Sequence, residues 1–207
     1  MPDGPRYAPG RRRVPQQARS RELVDRLLTA AGVLFAERGY ADTNTNLIAE
    51  RAGVSVGSLY QFFASKDEIL GSLQEVWTER LGAALDERLR ADLDAGPVET
   101  IEHVLDIHAA FNSEPPGLLG FLLTAPVATS SAEHVLAAIR SRVEEKLQVL
   151  GVGEQHRAVA ASMVVHISNG LYTVGRSEGA TNAAVRSEVQ RALVSYVRAL
   201  SERSATG

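Results

Sequence analysis

Residues 43–66 read TNTNLIAERAGVSVGSLYQFFASK, a stretch rich in side chains that exchange hydrogen bonds and poor in groups that break covalent bonds. Gln61 and Asn46 carry carboxamides, each pairing a donor with an acceptor. Thr43, Ser55, Ser58 and Tyr60 carry hydroxyls, and Lys66 carries an ammonium. Val56 adds a small apolar tip and Gly57 a bare backbone. This set suits recognition, not turnover. The chain contains no cysteine, which excludes a thiol nucleophile, a thiolate metal site and a disulfide framework. Nothing in it reads as a nucleophile elbow, a phosphate-cradling glycine loop or a metal-spaced cluster. Gly151-Val152-Gly153 reads as a helix stop, and His103 and His108 share no helical face for zinc. Neither an enzyme, nor a metal, nor a cofactor is expected.

The elements that must hold these side chains follow from the small residues among them. Ala49 falls where one helix must pass over another, Gly53 follows in the turn, and Leu59 clamps the pair, with Ile48 and Val54 as the remaining apolar contacts. Two helices crossing steeply through a three- or four-residue turn form a helix-turn-helix, whose second helix reads the major groove of DNA. Residues 44–63 are read as that unit. Thr43 and Ser55 are read as the two N-caps, and Gly53 as a left-handed turn residue in a crossing without room for bulk. Ser65 with Glu68 makes a capping box that opens a further helix near Lys66. Upstream, Leu23, Leu27, Ala30, Ala31, Leu34 and Phe35 mark one apolar stripe on a helix over residues 19–38, which Gly39 ends. That helix completes a core with Ile48, Leu59, Phe62, Phe63 and Leu70. Val56, Ser58 and Gln61 then stand outward on the reading helix: Gln61 suits adenine, Val56 suits a thymine methyl, and Asn46 is a further reader. Gly57 lets backbone and DNA approach closely.

Gly39-Tyr40, Thr43, Ile48-Ala49, Ala52-Gly53-Val54-Ser55, Gly57-Ser58-Leu59-Tyr60, Phe63 and Lys66 together resemble the DNA-binding domain of the TetR/AcrR family of bacterial repressors. The resemblance covers residues 17–77. It implies that Thr43, Ser55, Tyr60 and Lys66 touch the DNA backbone. It also implies a dimer joined through the last two long helices, and repression by promoter occlusion that a small-molecule effector relieves. Two positions depart from the family pattern. Thr45 stands where an apolar residue is usual, and Phe62 where histidine is frequent.

Charge and length complete the outline. At 207 residues the chain suits a small head and a larger body. The reading divides it into a basic arm (1–16), the DNA-binding domain (17–77), an effector-binding and dimerisation domain (78–203) and a tail (204–207). Residues 1–21 carry a net charge of +5, whereas residues 71–207 carry −5, a polarity that presents one end to phosphate. Arg11, Arg12 and Arg13 in the Pro- and Gly-rich arm suit a minor groove or phosphates. No apolar run approaches the roughly 18 to 20 residues of a membrane span, and the first residues lack a signal peptide's apolar core, so a cytoplasmic protein is expected.

Beyond Lys66 the pattern is helical throughout, giving an all-α fold. Breakers at Gly96-Pro97, Pro115-Pro116-Gly117, Ala125-Pro126 and Gly151-Val152-Gly153 separate the helices. The helix over residues 154–175 is apolar or small on nearly every side, so a second subunit would cover what the last helix does not. Ser162, His166, Asn169 and Thr173 form a polar stripe on it, which either lines an effector pocket or pairs internally or across a dimer. His108 sits on an apolar helix face, as a core residue or a ligand group. Trp77, Phe111, Phe121 and Tyr172 are candidate pocket walls or core. The alternative to a ligand-released repressor is a helical protein-binding adaptor, or an activator, using the same fold.

Overall fold

A computed structural model of the chain describes residues 18–91, 95–111, 115–125, 130–177 and 182–205. Every regular element among them is helical, and the fold is all-α. The order is α1 (Ala18–Arg38), α2 (Thr45–Arg51), α3 (Val56–Tyr60), α4 (Lys66–Ala91), α5 (Pro97–Phe111), α6 (Leu118–Thr124), α7 (Ser130–Val149), α8 (Glu154–Ser177) and α9 (Asn182–Ala205). The contacts divide the described residues into two compact units. The first holds those up to Glu79 together with α6 and the start of α7 to His134. The second holds those from Arg80 to Phe111 and from Val135 onward. Helix α4 contributes its first half to one unit and its second half to the other.

In the first unit the buried apolar side chains include Val24, Leu27, Leu28, Ala31, Leu34 and Phe35 of α1 and Ile48, Leu59, Phe62, Phe63, Ile69 and Leu70 of the elements that follow. The apolar stripe is centred one residue beyond its expected start: Val24 is fully buried and Leu23 only partly. Gly39 ends α1 at φ 79°, its amide donating to Phe35 O at 2.9 Å. Helix α6, which the sequence reading assigns to the body, packs here. A Cβ on Gly32 of α1 would lie 2.9 Å from Leu118 Cδ2, and Phe121 stacks on Phe35 with centroids 5.4 Å apart. A side chain at Gly32 would press on the end of the Leu118 side chain.

The second unit is built on α8 against α9, with α5 also packed on α9. Its core joins Ile101, Leu105, Leu147, Val152, Ala160, Ala161, Val164, Val185, Val189, Leu193, Val197 and Leu200. Hydroxyls fasten its turns: Ser201 donates to Leu150 O at 2.7 Å, and Ser204 accepts from the Gly153 amide at 2.8 Å. Arg186 pairs with Asp106 at 2.7 Å, joining α9 to α5, and Arg142 pairs with Asp86. No described helix is long and apolar enough to cross a membrane.

Candidate nucleic-acid interface

The first two elements after α1 form the crossing that the small residues require. Ala49 and Leu59 are fully buried at it, and the turn between them closes through Val54 N to Ala49 O at 3.0 Å. Of the two reasons expected for Gly53, the left-handed backbone holds and the lack of room does not. The residue is exposed, and a Cβ on it would meet nothing within 4 Å, so crowding does not select it; its φ of +66° does.

The caps divide in the same way. Ser55 caps α3 as expected: its hydroxyl accepts from the Ser58 amide at 3.0 Å and shares a 2.8 Å hydrogen bond with the Ser58 hydroxyl. The cap of α2, however, is Asn44 and not Thr43. Asn44 Oδ1 accepts from the Leu47 amide at 3.0 Å, whereas Thr43 is buried and its hydroxyl donates inward, to Gly39 O at 2.8 Å and Leu34 O at 3.3 Å. The hydroxyl expected on a phosphate thus closes the end of α1 instead. The capping box that opens α4 forms, with Ser65 Oγ accepting from the Glu68 amide at 3.2 Å and Glu68 reaching back to the Ala64 amide at 2.5 Å.

On the outer side, Asn46, Ser55, Gly57, Tyr60 and Gln61 are exposed, while Val56 and Ser58 are half-buried. Gly57 has open space around its missing side chain, the nearest atom being Ser55 Oγ at 3.8 Å. Tyr60, which is 41% exposed, shares a 3.1 Å hydrogen bond with the Thr45 hydroxyl across the two helices. Thr45, one of the two departures from the family pattern, therefore has a polar role that its type alone did not reveal. Phe62, the other departure, is buried in the core.

Lys66 is half-buried, and its ammonium is engaged by protein. It donates to Tyr40 O at 2.6 Å and to Thr43 O at 2.7 Å, and lies 3.9 Å from the centroid of the Tyr40 ring. The Tyr40 hydroxyl donates to Asp67. That bond, helped by burial and by the carboxylate's charge, pushes Tyr40 up to about 12. Arg11, Arg12 and Arg13 lie outside the described residues.

The expected effector-site residues divide between the units. Trp77 and Phe121 belong to the first, where Trp77 is buried and Phe121 stacks on the core residue Phe35. His108 and Phe111 belong to the second. His108 is buried, and burial holds it down to about 4, so it is neutral near pH 7; Phe111 lies 5.8 Å below the Arg80 guanidinium. Ser162 is half-buried on α8, and His166 is exposed with Nδ1 2.7 Å from Ser162 O. The side chains of Asn169, Tyr172 and Thr173 lie outside the described residues. Helix α8 is not covered all round: Ala160, Ala161 and Val164 are buried, but Val159 and Met163 are 67% and 43% exposed. An open groove in the first unit, lined by Asp25, Arg26, Thr29, Val33 and Arg51 among others, contains none of these residues.

Comparison with known proteins agrees with the geometry. Residues 27–73 match the family model described as bacterial regulatory proteins, tetR family. The HTH-type transcriptional repressor Rv3405c of Mycobacterium tuberculosis is 35% identical over 103 residues, covering 50% of this chain and 50% of that protein. The chain thus spans about half the length of the curated relatives it matches first. Among solved structures, a TetR-family transcriptional regulator from Streptomyces coelicolor superposes with a TM-score of 0.65 at 24% identity, covering 86% of this chain and 99% of that one. The regulator FadR from Bacillus subtilis, in complex with stearoyl-CoA, gives 0.64 at 22% identity, covering 83% and 97%. The helix-turn-helix match, the curated relatives and the shared fold together support a tetR-family regulator.

Proposed function

We propose that this regulator binds a near-palindromic operator as a dimer, represses by occluding a promoter, and is released by a small-molecule effector. The observation that carries the reading is the helix-turn-helix surface itself: Asn46, Gln61 and Tyr60 are exposed on one crossing that also presents Val56, Gly57 and Ser58. Asn46, Val56, Ser58 and Gln61 read base edges, while Ser55 and Tyr60 hold phosphates. Arg11, Arg12 and Arg13 add attraction from the arm. The dimer forms through α8 and α9, where exposed Val159 and Met163 offer an apolar face to a second copy. The protein acts in the cytoplasm, where the operator lies.

Effector release requires tighter binding of the effector to the arrangement that does not fit DNA. Helix α4, continuous from the end of the helix-turn-helix into the second unit, is the coupling element. The complex of FadR with stearoyl-CoA supports the general idea of a small-molecule effector but does not identify this one. Selection of bound duplexes from a random pool tests the reading. A two-fold symmetric sequence is expected, and a pool that shows no enrichment over successive rounds would refute it.

A further inference from the structure

We propose that Lys66 is a positioning residue that locks the turn between α1 and α2 onto the first turn of α4, and that its ammonium does not neutralise a DNA phosphate. The proposal deepens the operator-binding reading and rests on it.

Three observations carry it. First, the ammonium has its partners within the protein: two carbonyl oxygens at 2.6 and 2.7 Å and an aromatic face at 3.9 Å, which together engage a three-donor cation from three sides. Second, the Tyr40 carbonyl lies just beyond the end of α1, where the helix dipole favours a cation, and the Thr43 carbonyl adjoins the cap of α2. Lys66 itself opens α4, where the dipole opposes a cation. A lysine placed against its own helix and toward another suits a link between the two. Third, the turn is held from both sides. The Tyr40 hydroxyl donates to Asp67, the residue after Lys66, and the Tyr40 ring stacks on Phe35 at 5.9 Å. The Thr43 hydroxyl turns back on Gly39 O and Leu34 O. This short turn leads directly into the cap of α2, so its position sets the start of the helix-turn-helix.

The two roles differ in their dependence on salt. A phosphate contact releases a counterion, and its loss lowers the slope of log affinity against log salt by about 0.9 per contact. Loss of an internal lock leaves the slope intact and loosens the turn. Lys66→Met keeps the apolar stem and removes the ammonium. It is to be titrated against the operator recovered from the random pool at several salt concentrations, with amide hydrogen exchange followed in the free protein.

The expected result is a roughly tenfold or greater loss of affinity, an unchanged slope, and faster exchange at residues 39–47. A slope reduced by about 0.9 per protomer, or exchange equal to wild type, overturns the proposal. If Lys66→Met fails to fold, Lys66→Arg decides. A phosphate contact tolerates arginine, so wild-type affinity and exchange would overturn the proposal, whereas weaker binding with faster exchange would support it. Should wild type bind no duplex, the operator-binding reading fails, and the exchange measurement alone decides the lock.

Discussion

The hydroxyls of Thr45 and Tyr60 meet at 3.1 Å across the helix-turn-helix, joining the first residue of α2 to the last of α3. A tyrosine 41% exposed has several rotamers open to it, and a hydrogen bond to the threonine would favour one of them.

If Thr45 acts by aiming Tyr60 at a phosphate, the two substitutions should not add. Thr45→Val and Tyr60→Phe should each weaken operator binding by about 1 kcal/mol, roughly fivefold, and the double variant should be little worse than Tyr60→Phe alone. Fluorescence anisotropy with all four proteins closes the cycle, and full additivity would refute the aiming role.

Gly57 separates fold from recognition. Its missing side chain faces open space, so Gly57→Ala should stabilise the free protein by up to about 1 kcal/mol through helix propensity. If the backbone there approaches DNA closely, the same methyl should weaken operator binding. Thermal melting and a gel shift on one preparation should therefore move in opposite directions.

At Gly53 conformation decides. Gly53→Ala should lower stability by about 1–2 kcal/mol because φ is +66°, and Gly53→Asn should cost less, since asparagine tolerates left-handed backbone better. A crowded site would instead penalise asparagine more than alanine. Denaturant titration of the two variants distinguishes the cases.

His108 makes the second unit sensitive to acid. Its folded value of about 4 lies below the ordinary 6.5, so the unfolded chain takes up the proton first. The stability it contributes is full above about pH 6.5 and falls as pH drops from there toward 4. The melting temperature of wild type should decline over that window, and His108→Leu should flatten the decline.

Much of the head was legible because its determinants are local. Ala49 and Leu59 at the crossing, the Ser55 cap, the capping box of Ser65 with Glu68, and Gly39 at the end of α1 each depend on neighbours within a turn or two. The run Thr43-Asn44-Thr45-Asn46 shows where local reading stops. Both residue types in the run make good caps, so the pattern leaves the register open, and burial of Thr43 decides it for Asn44. The partners of Lys66 were not legible. Tyr40 and Thr43 precede it by more than twenty residues, and only the packed turn brings their carbonyls to its ammonium. The place of α6 was hidden likewise, because it depends on Gly32 leaving room for Leu118. The effector site remains a proposal because its expected residues, unlike those of the head, do not form one local motif.

In the proposed complex α3 reads bases through a few side chains while the surrounding residues hold the backbone. The direct test is the affinity of wild type and Gln61→Ala for every single-base variant of the selected operator. Gln61→Ala should lose discrimination, by about 1–3 kcal/mol, at one base pair in each half-site and keep it elsewhere. Preference unchanged at every position, or affinity lost equally across all sequences, would contradict it.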